Sequence, residues 1–102
     1  MSTISYDSFM AFCKGLEGKT LPTIGGISSF KLSSVRSDCL EFVVSTKKTR
    51  RSHRPYIEDV LNTYALTQSL HPVDYTGITI NSSYILALIG LFVQISQRKL
   101  ET

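Results

Sequence analysis

A chain of 102 residues with 42% hydrophobic and 19% charged residues has the length of one small globular domain, residues 1–102, with one core and no long disordered tract. Its formal charge of +3 is local: the octet Lys47-Lys48-Thr49-Arg50-Arg51-Ser52-His53-Arg54 holds five of the eleven Lys and Arg residues and no carboxylate, so the other residues sum to −2. The start of the chain lacks a secretory pattern, and the most apolar run, residues 84–93, is roughly half the ~20 residues of a spanning helix, so no membrane partner is expected.

In chain order, Phe9, Phe12, Cys13 and Leu16 stand at i, i+3, i+4 and i+7, the stripe of a first helix over residues 5–17, with Ser5 as N-cap and Gly18 as its end. Residues 19–26 mix turn formers with isolated aliphatics and read as a connection with room for a short extended piece. From Phe30 the period shortens to two. Phe30 and Leu32, then Leu40, Phe42 and Val44, predict two antiparallel strands reversed by Ser34 to Asp38. Cys39 and Val43 on the other side of the second strand suggest that it lies centrally. Thr46 to Thr49 supply another turn, and Arg50 to Ser52 fit a third, edge strand, where cations deter edge pairing.

Pro55 then opens a helix, with Ile57, Val60, Leu61 and Tyr64 as its stripe and His71-Pro72 as its stop near Leu70. A loop through residues 73–77 leads to a last helix capped by Asn81 or Ser82 and running to about Arg98, with Arg98 and Lys99 at its negative end. Because its middle is apolar on every side, this helix reads as the central one of the domain or as the seam of a homodimer through residues 84–95. Gly90 inside it suggests close approach by another backbone. The order predicts an α+β fold: helix, a small antiparallel sheet of two or three strands, then two helices packed on one sheet face.

Catalytic patterns fail on spacing. Gly15-Leu16-Glu17-Gly18-Lys19-Thr20 has two residues between its glycines where a P-loop needs four, and it ends a helix. The residue two beyond Glu41 is Val43, not the Lys of a metal-dependent nuclease. Glu58 and Asp59 suit the positive end of a helix dipole. Cys13 and Cys39 stand singly and read as buried reduced thiols, and His53 and His71 belong to no ligand cluster. Neither an enzyme activity nor a metal or cofactor is therefore expected.

What remains is the octet. Phosphate recognition needs cations, hydroxyls and free N–H groups in one place, and Lys47, Lys48, Thr49, Arg50, Arg51, Ser52, His53 and Arg54 combine the first two just before a helix N-terminus. Few aromatics accompany them, which favours duplex DNA held by its backbone over a single strand stacked on rings. The expected function is a non-enzymatic nucleic-acid-binding module of regulatory or accessory kind. The alternative is a protein-interaction module or inhibitor whose basic edge meets an acidic partner surface. The expected location is cytoplasmic, or nuclear in a eukaryotic host, where the octet also fits an import signal.

Overall fold

The computed structural model describes residues 4–101 except 25, 27, 45 and 80, with side chains as far as residue 96. Arg98 and Lys99 thus lie outside the described side chains. The elements are α1 (Tyr6–Lys14), β1 (Thr20–Pro22), β2 (Ser29–Arg36), β3 (Cys39–Val44), β4 (Thr49–His53), α2 (Arg54–Thr67), a 3-10 turn (Pro72–Tyr75) and α3 (Ser82–Glu101). The strands form one antiparallel sheet in the order β1-β2-β3-β4.

The sheet has four strands where two or three were expected. β1 is three residues long and turns only Leu21 inward, too little for alternation to reveal. It exists because Thr20, Leu21 and Pro22 pair with Lys31, Phe30 and Ser29. Its proline falls at the end of an edge strand, where no donor is required. The first helix is likewise shorter than its stripe. Ser5 caps it, its Oγ accepting from the Ser8 N–H at 3.1 Å, but it ends at Gly15. Gly18, with φ of 88°, instead turns the chain into the sheet and donates its N–H to the Leu32 carbonyl at 2.6 Å.

β2 carries an irregularity between Leu32 and Ser34. Ser33 is the extra residue, and its hydroxyl bonds both the Glu41 carbonyl and the Glu41 carboxylate. Beyond it, β1 is too short to pair with β2, and Glu17 takes over part of that role: its carboxylate accepts the Val35 N–H at 2.7 Å. The extra residue turns Val35 inward, and β2 continues to Arg36, so the reversal into β3 is only Ser37 and Asp38.

The helices cover one face of the sheet. Phe30, Leu32, Val35, Leu40 and Phe42 meet α1 through Phe9 and Cys13, α2 through Ile57 and Leu61, and α3 through Ile85 and its neighbours. Rings of Phe30, Phe42 and Tyr84 meet with centroids 5.2 to 5.6 Å apart. Residues 85–89 are all buried within the chain, whereas Tyr84, Leu91, Phe92 and Val93 are half-buried and Ile95 is exposed. Among the described residues Gly90 approaches no backbone: a Cβ there would meet Ile24 and Leu70 side-chain carbons at an ordinary 3.7 Å.

α2 stops three residues before Leu70, because Gln68 adopts φ of 57° and returns its N–H to the Tyr64 carbonyl. The segment after it is ordered by Tyr75, fully buried, whose hydroxyl donates to the Ser69 carbonyl at 2.7 Å.

Two outcomes follow from this packing. Phe42→Ala removes a fully buried ring from an interior strand and should lower stability by about 3–5 kcal/mol in urea denaturation, whereas Leu66→Ala at an exposed site should change it by less than about 0.5 kcal/mol. The Val35 N–H, and after it Lys14, hold the Glu17 carboxyl below its ordinary value of 4.5. The folded protein therefore binds this proton less readily than the unfolded chain, so the contribution is complete above that value and is lost as pH falls through the folded one. Urea midpoints of Glu17→Gln should fall less steeply than those of the wild type as the solution is acidified below 4.5.

Candidate nucleic-acid interface

The octet runs from a hairpin turn through β4 into the start of α2, and a strand sends successive side chains to opposite faces. Its direction is set by pairing: Leu40 lies opposite Ser52 and Phe42 opposite Arg50. Arg50 and Ser52 therefore share the face that carries the core. Ser52 is buried and Arg50 half-buried, and the Asn81 side chain at the entry to α3 donates to the Arg51 carbonyl between them at 3.0 Å. Thr49, Arg51 and His53 point the other way, onto the sheet face that no helix covers, and all three are exposed.

Arg54 is engaged at the junction of sheet and helix. Its N–H donates to the Asp38 carbonyl at 2.8 Å, its Nε pairs with Glu58 at 2.9 Å, and its guanidinium lies 4.3 Å from the centre of the Tyr6 ring. The Tyr6 hydroxyl in turn donates to the Ser37 carbonyl. Glu58 thus serves Arg54 directly, and α2 has no acidic residue in its first turn. With Arg54 N–H occupied and Pro55 lacking one, the helix N-terminus offers an anion fewer donors than the sequence implies.

The open face collects other residues in exchange. Lys31 pairs across with Val43, which neighbours Thr49; Ser34 and Arg51 flank Glu41; Arg36 and His53 flank Cys39. Lys47 and Lys48 extend the same end of the sheet at the β3–β4 turn and are exposed. The cations of this face come from two strands, Lys31 and Arg36 from β2 and Arg51 from β4. Arg51 pairs with Glu41 at 3.0 Å, and Arg51 followed by Ser33 holds the Glu41 carboxyl below its usual range. Among the described residues, Lys31, Arg36, Lys47 and Lys48 form no ion pair.

Lys31 and Arg36 do not stand out in the sequence. Lys31 was legible in principle, since Phe30 and Leu32 inward place it outward. Arg36 was not, because strict alternation from Phe30 directs it inward, and only the extra residue Ser33 reverses that parity.

No cluster of three His, Cys, Asp or Glu side chains able to hold a metal occurs among the described residues. Burial pushes the Cys13 thiol up to about 12, and burial followed by the nearby Asp38 carboxylate raises that of Cys39, the reverse of what a nucleophile needs. No helix among the described residues is long and apolar enough to cross a membrane. Comparison with protein-family models, curated proteins and solved structures finds no match to this chain.

Both thiols are expected to react with a disulfide reagent at neutral pH at least about tenfold more slowly than free cysteine, and to become fully reactive on unfolding. Stopped-flow absorbance with and without denaturant measures this.

Proposed function

We propose that the protein is a non-enzymatic nucleic-acid-binding module that grips the backbone of a duplex with the open face and turn of its sheet. The observation that supports this reading is the gathering of Lys31 and Arg36 from β2 with Arg51 from β4 on the open face, interleaved with the hydroxyls of Ser34 and Thr49, and the exposure of Lys47 and Lys48 at the turn that ends the sheet. Cations and hydroxyls spaced along a strand match the repeating phosphates of a nucleic-acid backbone, and backbone contacts require no aromatic platform. From Lys48 to His53 the strand covers about 17 Å, enough to meet several duplex charges spaced about 1.7 Å apart along the axis.

The turn adds a second line of support. Lys47 occupies a left-handed conformation, φ 65°, closing a tight hairpin in which its N–H bonds the Val44 carbonyl at 2.8 Å. Hairpins fill that position with glycine or asparagine, since a side chain there costs about 1 kcal/mol. A lysine at this place sacrifices stability while presenting a charge at the tip, and residues kept in such conformations are often functional.

A salt-titrated mobility-shift assay with a generic duplex tests the reading. Three contacts, from the lysines Lys31, Lys47 and Lys48, should give a slope of log K against log salt of about −2 to −3. Lys47→Gly should move two quantities in opposite senses: stability up by about 1 kcal/mol, and affinity down with a slope shallower by about 0.9. Absence of duplex binding at low salt, or unchanged affinity in Lys47→Gly, would sink the proposal. Capture of an acidic protein in place of the duplex would favour an interaction module.

A further inference from the structure

Two cross-strand rows on the open face, Ser34-Glu41-Arg51 and Arg36-Cys39-His53, enclose a hollow of ≈ 270 Å³. Its floor is β3, where the short Cys39 side chain separates the longer ones arriving from β2 and β4. Its best-held wall is Arg51. Glu41 engages the Arg51 Nε at 3.0 Å and is itself fixed by the Ser33 hydroxyl at 3.1 Å. An arginine held by Nε retains the donors of its two terminal nitrogens. The hollow is smaller than the roughly 300 Å³ at which pockets for drug-sized molecules begin, and suits a single small group.

We propose, on the basis of the nucleic-acid reading above, that this hollow seats one phosphate group of the bound strand, with Arg36 and Arg51 as its two arms and Ser34 and His53 completing the donors. The charges around it nearly balance. Glu41 offsets Arg51, and Asp38 stands at the same rim as Arg36. Net attraction is therefore small, and the seat works through directed hydrogen bonds, unlike Lys47 and Lys48, which act as exposed point charges. Its contribution to affinity persists at salt concentrations that screen the lysines. A terminal phosphomonoester and an internal phosphodiester both present this chemistry.

The test uses the full chain. Titration of the isotope-labelled protein with inorganic phosphate should give saturable NMR shifts concentrated at Arg36, Cys39, Arg51 and His53. Absent shifts, or equal shifts at Lys47 and Lys48, overturn the seat. Cys39→Leu fills the floor and leaves every charge in place. It should reduce duplex affinity about tenfold, by the same factor at about 50 and about 200 mM salt, where a loss of charge contacts would vary. A folded Cys39→Leu protein with wild-type affinity overturns the seat while leaving duplex binding intact; loss of all duplex binding by the wild type overturns both readings. If Cys39→Leu does not fold, the phosphate titration of the wild type decides. A 5′-phosphorylated duplex binding about tenfold tighter than its 5′-hydroxyl counterpart assigns the seat to a strand end. Equal binding of these two and of a closed dumbbell, each weakened by Cys39→Leu, assigns it to an internal phosphate.

Discussion

The register between β3 and β4 is the constraint on which the rest depends. Leu40 and Phe42 must face the helices because they have no exposure to spare, and that fixes Ser52 and Arg50 on the same side. A slip by one residue would exchange the faces, bringing Arg51 and His53 into the core and Arg50 and Ser52 out. The apolar strand thus orients the basic one. Asn81 secures the arrangement from the other edge, its amide bonding the Arg51 carbonyl where β4 has no further strand.

A second register problem is solved on the opposite side of β3. Ser33 shifts the parity of β2 so that Val35 completes the core and Arg36 joins the open face. Such an irregularity leaves backbone donors to be satisfied. Glu17, presented by the turn after α1, receives the Val35 N–H, and Ser33 turns its hydroxyl to Glu41. The same serine that shifts the strand therefore steadies the carboxylate that holds Arg51. Core packing and the geometry of the open face are linked through one local insertion.

Charge is divided by the fold according to what surrounds it. Arg54 works as a structural residue, tying Tyr6, Glu58 and the β2–β3 turn to the start of α2. Its exposed pair with Glu58 adds little stability by itself, so its value lies in the several contacts made by one side chain. Arg51 is held but not consumed. Lys47 and Lys48 remain at the tip, exposed and outside the ion pairs of the described residues. These environments separate a basic segment that looks uniform in one dimension into anchoring, positioned and exposed cations.

By itself the sequence determined the α+β class, the central place of β3, the stripes of α1 and α2 and the concentration of charge between residues 47 and 54. Those features are written in periodicity and composition, which are local. Periodicity over Phe9 and Cys13, or Leu40, Phe42 and Val44, needs no knowledge of the partner it will bury against. Only the tertiary structure decided that β1 is a strand, that β2 changes parity at Ser33 and that the octet divides between two faces. β1 is defined by hydrogen bonds to β2, the bulge by the register of β2 against β3, and the direction of Arg50 by Phe42 across the ladder. Each depends on a contact between distant residues, and a one-dimensional pattern does not contain the geometry of its partner.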